Sequence, residues 1–291
     1  MKLFPLEKLI IILLPLTFIS FQWPLENYKI TSVFGESRGD HFHDGVDMVS
    51  ANKKIFPVKK GALSYYWDKM NFPLENYPGG GNYAVVQHSP SLFSIYMHLK
   101  DGISKKKIFT TKDNIGKYAN TGHSYGNHLH FTIFDKNQNA TINPLILLKG
   151  YTDQKKPEIK NIYIRLKKKY YRIRNKSKIR LTQHYPLLIH ISDSIKKREK
   201  VGIYTLKVYI NNALKQRVAF KKIKTKSIGL SVGKSTFESI FDNKGFYKVN
   251  NPQYKNGENI IKVDASDLAG NKTSKIFKFT VKLDLKNSLK K

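Results

Sequence analysis

The sequence contains no cysteine among its 291 residues. A disulfide framework and a thiolate nucleophile are therefore both excluded, and any metal must be held by nitrogen and oxygen ligands. Acidic residues are also scarce, with 21 aspartates and glutamates against 52 lysines and arginines, and the formal net charge is +31. This imbalance indicates an anionic partner, such as phosphate, a carboxylate polymer or a membrane surface, without choosing among them.

Two familiar motifs are missing as well. The sequence has no His-Glu-x-x-His helix, so a thermolysin-like zinc site has no support. The glycine-rich stretch "PGGGN" at 78–82 lacks the lysine and the serine or threonine of a phosphate-binding loop. It is instead predicted to be the lip of a groove or a hairpin turn, beside Tyr77 and Tyr83.

The longest apolar run lies at the N-terminus, where Lys2 and Lys8 flank the start of "LIIILLPLTFIS". Its length suits the hydrophobic region of a signal peptide and is short for a membrane span. Residues 1–20 are therefore predicted to be a signal peptide or, because the usual small residues before a cleavage site are missing, an uncleaved anchor. Both alternatives predict an exported protein of the periplasm or cell envelope.

Residues 23–150 have the pattern of an all-β domain. Short segments rich in aromatic and β-branched residues, such as "YKITSVFG", "NYAVVQH", "FSIYMHL" and "LHFTIF", are separated by turn-forming residues. Up to residue 150 there are 17 basic and 11 acidic residues, against 35 and 10 after it. The excess charge therefore belongs mainly to the second half, whereas seven of the nine histidines lie in the first.

The stretch "GNHLHFTIF" at 126–134 places two histidines on one predicted strand. Residues two apart on a strand share a face, so His128 and His130 project together. That arrangement suits one metal ligand beside one proton-transfer group. A catalytic zinc needs three protein ligands and an open position, and imidazoles with one carboxylate are a common set.

Two further stretches supply the other candidate residues of the site. "FHDGVDM" contributes His43 and Asp47, four residues apart, in a context that favours a turn or strand over a helix. "IYMHLK" places His98 on another alternating strand.

The three elements together resemble the lysostaphin-type (LytM-like) zinc endopeptidases, which cut peptide bonds in bacterial peptidoglycan. "HDGVD", "YMHL" and "HLHF" match the three motifs of that family, and the flanking stretches "ITSVFGESR", "GNYAVVQH", "IGKYANTGHSYGN" and "INPL" agree as well. The resemblance covers roughly residues 23–148. It implies the family's antiparallel-sheet fold, of the duplicated hybrid motif type.

Carried over residue by residue, the resemblance implies that His43, Asp47 and His130 hold Zn²⁺. His98 and His128 are then the catalytic residues, with His128 as the base and His98 as the group that stabilises the oxyanion. These two roles could be exchanged. Imidazole suits proton transfer in both directions because its unperturbed pKa is about 6.5.

The remaining histidines of this domain have structural interpretations. His88 ends a predicted strand and needs only a structural hydrogen bond. His123 lies in a glycine-flanked loop and is predicted to be solvated, and His41 is predicted to lie on the rim of the site.

The second half, 155–285, is predicted to be an immunoglobulin-like β-sandwich of seven or so short strands. Its run "RLKKKYYRIRNKSKIR" interleaves aromatic residues with cations, as nucleic-acid sites do. Because an export signal stands in front, no nucleic acid is expected. The alternatives for this basic surface are that it binds an anionic wall polymer, that it binds a membrane surface, or that it is only a solvated face.

The sequence as a whole predicts an exported, zinc-dependent endopeptidase that hydrolyses peptide bonds in peptidoglycan. The first alternative is a non-catalytic wall-binding protein or an activator of other cell-wall hydrolases, because the family it resembles includes members that have lost their metal ligands. A second alternative is an enzyme held latent by its own chain until it is processed.

Overall fold

The computed structural model describes residues 21–195, 200–227 and 229–284. The predicted signal peptide or anchor, 1–20, lies outside the described residues, as does residue 285 at the end of the predicted second domain. Within the described ranges, no helix has the length and hydrophobicity needed to cross a membrane. The fold is nearly all β, which confirms the predicted fold class.

The first part of the chain contains ten strands and two short 3₁₀ turns, at Lys69–Asn71 and Pro144–Ile146. The strands are β1 (Lys29–Ser32), β2 (Val46–Val49), β3 (Lys54–Ile55), β4 (Gly61–Trp67), β5 (Asn82–Gln87), β6 (Leu92–Leu99), β7 (Ile108–Phe109), β8 (Gly116–Lys117), β9 (Leu129–Asp135) and β10 (Ala140–Ile142).

Strand β9 lies at the centre of the sheet formed by this part. It pairs antiparallel with β6 on one side, with β10 on the other and, through its first residues, with β2. Strands β5, β4 and β7 continue the sheet beyond β6. Along β5 buried and half-buried residues alternate, the pattern of a strand with one face on a core. The strands that carry the predicted histidines are therefore neighbours.

The second part contains thirteen strands among its described residues and one short helix, α1 (Phe237–Ile240). The strands are β11 (Glu158–Leu166), β12 (Lys169–Ile173), β13 (Lys178–Leu181), β14 (Leu187–Ser194), β15 (Lys200–Val201), β16 (Thr205–Ile210), β17 (Ala213–Ala219), β18 (Lys222–Lys226), β19 (Gly229–Val232), β20 (Ser235–Thr236), β21 (Tyr247–Val249), β22 (Gly257–Ser266) and β23 (Lys272–Leu283).

Ten of these strands form two five-stranded sheets. One has the order β12-β11-β14-β15, with β21 also paired to β14, and the other has the order β13-β23-β22-β16-β17. Ile162 of β11, Ile189 of β14 and Val263 of β22 are fully buried in one core, so the sheets form a sandwich. Its predicted immunoglobulin-like type stays a prediction.

The predicted number of seven or so strands was too low. Strands β18, β19 and β20 leave the sandwich and continue the sheet of the first part, because β18 pairs antiparallel with β10. Their sequence "KIKTKSIGLSVGKST" is rich in lysine, and its apolar alternation is confined to the short stretch "IGLSV". The predicted limits of the two domains stay a prediction, but backbone pairing joins the two parts.

The two parts also share core packing. Phe42, between β1 and β2, is fully buried among residues of the second part and lies 5.2 Å from Phe237 and 6.1 Å from Phe241 between ring centroids. Burial of such a side chain stabilises the fold by about 1.5 to 3 kcal/mol. The segment that precedes β2 is therefore held in place by the second part of the chain.

Candidate metal centre

His43 and Asp47 reach His130 because β2 pairs with β9. His43 lies just before β2, and the strand register places Asp47 directly opposite His130. His43 Nε2 is 2.9 Å from Asp47 Oδ1 and 3.1 Å from His130 Nδ1, and the last two atoms are 3.0 Å apart. The three predicted ligands thus converge on one point, and all three are buried.

This donor set fits a metal ion. Neighbouring corners of a tetrahedron with bonds of about 2.0 Å lie about 3.3 Å apart, close to the separations of 2.9, 3.0 and 3.1 Å found between the donor atoms. Two imidazole nitrogens and a carboxylate oxygen suit zinc and other borderline divalent metals. Three protein ligands leave a fourth position for water or substrate.

Gly45 permits the close approach of β2 to His130. A Cβ at this position would lie 2.6 Å from His130 Nε2, 2.6 Å from the Phe131 carbonyl oxygen and 2.7 Å from Thr132 Oγ1. No real Cβ tolerates such distances to backbone atoms. The glycine between His43 and Asp47 is therefore a steric requirement of the site.

Each imidazole ligand has a second partner that fixes its orientation. His43 Nδ1 donates to the Val33 carbonyl oxygen at 2.8 Å, which leaves the lone pair on Nε2 facing the site. His130 Nε2 lies 3.0 Å from Thr132 Oγ1 and 3.2 Å from Asp44 Oδ1, which leaves the lone pair on Nδ1. Such outer contacts select the tautomer and typically change metal affinity 10- to 100-fold, as an order of magnitude.

Asp47 is oriented by the segment before β2. Its Oδ2 accepts from Arg38 Nη2 at 2.6 Å, and the same nitrogen donates to Ser32 Oγ at 2.9 Å. Ser32 Oγ in turn donates to Glu36 Oε2 at 2.5 Å. Sequence reasoning used the stretch "ITSVFGESR" only as a flanking match and gave these polar residues no role. The signal was the high share of polar residues in this stretch, five of nine.

The carboxylates and imidazoles of the site shift one another's pKa values. Burial alone would raise the pKa of Asp47, but the charges and hydrogen bonds of His43 and His130 hold it well below its usual range. Burial would likewise lower the pKa of His130, yet the carboxylates of Asp44 and Asp47 raise it to about 9. A position that stabilises a proton so strongly is suited to a metal cation.

His98 projects into the same site from the end of β6. Its Nδ1 donates to the Thr121 carbonyl oxygen at 2.7 Å, so the lone pair of the neutral ring is on Nε2. Burial, together with the neighbouring His128 and His130, lowers its pKa to about 4, against the opposing effect of the Thr121 bond. The backbone φ of +61° is unusual for a residue other than glycine and costs about 1 to 2 kcal/mol.

His128 immediately precedes β9 and has the same tautomer. Its Nδ1 donates to the Gly126 carbonyl oxygen at 2.9 Å, and its Nε2 lies 3.6 Å from Asp47 Oδ1. The ring centroids of His98 and His128 are 4.9 Å apart. The structure therefore brings all five predicted site residues together, and their assigned roles stay predictions.

Two glycine loops form one wall beside His98. The Gly80 carbonyl oxygen accepts from the His98 amide at 2.9 Å, and the Gly79 carbonyl oxygen accepts from the His123 amide at 2.8 Å. A Cβ on Gly122 would lie 2.2 Å from the Gly81 nitrogen, so the loops touch backbone to backbone. The stretch "PGGGN" is thus packed against the 121–123 loop. Tyr77 beside it is exposed.

The other histidines lie where the sequence suggested. His88 contacts the Lys60 carbonyl oxygen at 3.0 Å and Ser94 Oγ at 2.8 Å. His123 is exposed, and the exposed His41 contacts Asp40 at 2.6 Å.

A Gly-x-Ser-x-Gly pattern at 229–233, "GLSVG", is not a nucleophile elbow. Ser231 is buried within β19, and its Oγ donates to the Lys224 carbonyl oxygen at 3.4 Å.

Comparison with known proteins identifies the class of the first part. Residues 41–144 match the model of peptidase family M23, and a second family model matches residues 156–282. The match supports the resemblance of the first part of the chain to the LytM-like peptidases.

Two curated proteins are similar in sequence. An uncharacterized metalloprotease of Buchnera aphidicola subsp. Baizongia pistaciae (strain Bp) is 30% identical over 126 residues, which are 40% of this chain and 31% of that protein. Peptidoglycan DD-endopeptidase ShyA of Vibrio cholerae serotype O1 (strain ATCC 39315 / El Tor Inaba N16961) is 37% identical over 59 residues, 20% of this chain and 14% of that protein. The chain thus spans less than a third of either relative.

A solved structure of a zinc-containing peptidase from Vibrio cholerae is also similar. It is 25% identical, covers 40% of this chain and 37% of its own, and superposes with a TM-score of 0.34.

Proposed function

We propose that this protein is an exported, zinc-dependent endopeptidase that hydrolyses peptide bonds in bacterial peptidoglycan. The observation that carries the proposal is the convergence of His43 Nε2, Asp47 Oδ1 and His130 Nδ1 beside two further imidazoles. The match of residues 41–144 to peptidase family M23 and the similarity to a peptidoglycan endopeptidase support it. Residues 1–20 would direct export to the periplasm or cell envelope, by a cleaved signal or an uncleaved anchor.

Zinc bound by these three ligands would polarise the scissile carbonyl and make a water molecule a better nucleophile. His128 Nε2 accepts the proton that this water loses as its oxygen attacks the carbonyl carbon. When the carbon–nitrogen bond breaks, the same atom returns the proton to the leaving nitrogen. Asp47 Oδ1, 3.6 Å away, stabilises the imidazolium that forms between these two steps.

His98 would orient the water together with His128, since the two ring centroids are 4.9 Å apart. Because its Nδ1 donates to the Thr121 carbonyl oxygen, Nε2 of the neutral ring is an acceptor and not a donor. It can stabilise an oxyanion only after taking up a proton there. Both rings have the same tautomer, so Nε2 of either one can act as the base, and His98 can donate to the oxyanion only in its protonated form.

Zinc analysis and digestion of the full chain test the proposal together. His130→Ala should lose most of the zinc, whereas His128→Ala should keep about one zinc per chain and lose turnover about 100-fold or more. His190→Gln, in the sandwich, is the matched control and should resemble the wild type. Purified peptidoglycan is the substrate, and mass spectrometry of the released ends identifies the bond that is cut.

The outcomes separate the alternatives. Full zinc occupancy in His130→Ala would contradict the ligand assignment. Zinc binding without any released peptide ends from the wild-type chain would instead favour a wall-binding protein or an activator of other hydrolases. Activity that appears only after proteolysis would identify a latent enzyme.

The basic second part is proposed to bind an anionic wall polymer or membrane surface. Its excess of 35 basic over 10 acidic residues, after residue 150, supports this role.

A further inference from the structure

A second group of potential metal ligands lies at the junction of the two parts, away from the histidines. It consists of Asp153 in the connecting segment, Asp193 in β14 and Asp267 after β22. One carboxylate oxygen of each lies within 4.8 Å of the others. Asp193 is only 4% exposed and Asp267 only 5%, so these are not carboxylates of a solvated surface.

Two of the carboxylates have an oxygen without a partner among the described residues. Oδ2 of Asp193 and Oδ2 of Asp153 are both buried and accept no hydrogen bond from that part of the chain. Their other oxygens accept from backbone amides, Ser194 N at 2.8 Å and Lys155 N at 2.9 Å. Leaving a buried carboxylate oxygen unpaired is costly, since its lost hydration is not replaced.

The third carboxylate is fixed by one neighbour. Asp267 Oδ1 accepts from the Asn271 amide at 2.9 Å, and its Oδ2 accepts from Asn271 Nδ2 at 2.7 Å. Asn271 Nδ2 also donates to the Asp153 backbone carbonyl oxygen at 2.9 Å. The turn between β22 and β23 therefore positions Asp267 and holds the connecting segment beside it.

The cluster has no balancing cation within the part of the chain that the structure describes. No lysine or arginine nitrogen there lies within 4.0 Å of these three carboxylates. This is unexpected in a chain with 52 basic residues. Burial, followed by the charges of Asp267 and Asp153, raises the pKa of Asp193 to about 7, although its amide bond and Lys155 oppose this. Burial likewise raises the pKa of Asp267.

We propose that Asp153, Asp193 and Asp267 form a calcium site that joins the connecting segment to the sandwich. All of its donors are oxygen atoms, which suit a hard cation, and none is the imidazole that zinc prefers. Calcium accepts carboxylates in mono- or bidentate form and in irregular geometry, whereas magnesium requires a near-ideal octahedron.

The site lies beside residues that contact the first part. Asp193 and Asp267 line a small cavity together with Tyr151, Leu268 and Gly202. Tyr151 and Leu268 also pack against the core of the first part. A cation here fixes the junction between the two parts by binding their connecting segment and both sheets of the sandwich.

Thermal unfolding and calorimetry of the full, zinc-loaded chain test the proposal. The buffer is depleted of calcium on a resin, without a soluble chelator that would also remove zinc. Calcium chloride at about 100 times its dissociation constant should raise the melting temperature by about 5 °C or more. Magnesium should have a smaller effect.

Asp193→Asn is the diagnostic variant because it keeps the volume and removes the charge. It should bind no calcium. In calcium-free buffer its melting temperature should be higher than that of the wild type, because the repulsion among the three carboxylates is relieved. Asp264→Asn, on the exposed face of β22, is the control and should keep the calcium response. Asp267→Asn is the second variant if Asp193→Asn does not fold.

Two results would overturn the proposal. The first is a wild-type chain that shows no heat of calcium binding and no change in melting temperature at about 10 mM calcium. The three carboxylates would then be a cluster that shares a proton and binds no cation. The second is an equal rise in melting temperature for the wild type and Asp193→Asn, which would indicate calcium on the surface elsewhere.

Discussion

The backbone amide of Gly202 donates a hydrogen bond to Glu36 Oε1 at 2.9 Å, across 166 positions in sequence. Glu36 also accepts from the Val33 amide at 2.9 Å and from Ser32 Oγ at 2.5 Å. Ser32 Oγ lies 3.2 Å from His43 Nδ1. The sandwich is thereby connected to a predicted metal ligand through one carboxylate.

Gly202→Ala should weaken metal binding. Its new Cβ would lie 2.8 Å from Glu36 Cγ, so Glu36 must move and its bonds to Ser32 and Val33 must lengthen. We expect zinc affinity to fall about 10-fold, as for other outer contacts of metal ligands. Competition with a chromogenic chelator measures it.

The matched control for this change is Gly116→Ala, where a new Cβ meets nothing within 4 Å. An unchanged zinc affinity in Gly202→Ala, alongside an unchanged control, would show that the Glu36 contact does not act on the metal site.

Gly45→Ala should damage the site directly. The added Cβ would lie 2.6 Å from both His130 Nε2 and the Phe131 carbonyl oxygen, which forces β2 and β9 apart. Overpacking of this kind costs about 1 to 3 kcal/mol of stability, and zinc per chain should fall well below one. Zinc stoichiometry and urea unfolding measure the two effects. Normal values for both would mean that the strands can separate here without moving His130.

His88 should make stability depend on pH. Burial lowers its pKa, and the charge of Lys59 adds to this, against the bond to the Lys60 carbonyl oxygen. Because the folded pKa lies below the unfolded value, its contribution is present above about pH 6.5 and is lost as the pH falls below it.

The free energy of unfolding should therefore fall more for the wild type than for His88→Gln between about pH 7.5 and about pH 5.5. Denaturant titrations at the two values measure this difference, in which the other titrating groups largely cancel. An equal fall in both proteins would exclude His88 as the source.

The lysines of the hairpin between β11 and β12 should support binding to insoluble peptidoglycan or anionic vesicles. Lys167, Lys168 and Lys169 are all exposed, and screening shortens the reach of such charges to about 8 Å at 0.15 M salt and about 3 Å at 1 M. Sedimentation of the full chain should fall steeply with salt. Changing all three lysines to glutamine should weaken binding at low salt.

The control carries the same change at the exposed lysines 105, 106 and 107 of the first part. Equal losses in both triple variants would indicate a general effect of net charge. Binding that is weak and insensitive to salt would reject electrostatic attachment and leave the lysines as a solvated face.

Much of the site could be predicted because its chemistry is local in sequence. His128 and His130 are two apart, and "HDGVD" carries two ligand types with the glycine that their packing requires. What brings these stretches together is the pairing of Asp47 with His130, which is 83 positions away. Only a resemblance to a family could supply that pairing in advance.

The remaining contacts had no comparable signal. The sequence of β18, "KIKTK", does not predict that this strand pairs with β10. Its side chains are mostly lysines, and the pairing uses backbone atoms. Asp193 and Asp267 are likewise 74 positions apart (267 − 193), and Asp153 is separated from both. Single acidic residues at such spacing are indistinguishable from surface charges until a fold brings them together.

The pairing of β10 with β18 also affects the order of folding during synthesis. A nascent chain that has reached residue 150 presents β10 as an open edge, a template for pairing with another molecule. The strand that covers this edge begins only at Lys222. The eleven-stranded sheet therefore has a high contact order and closes late, so a chain released early should aggregate before β18 covers this edge.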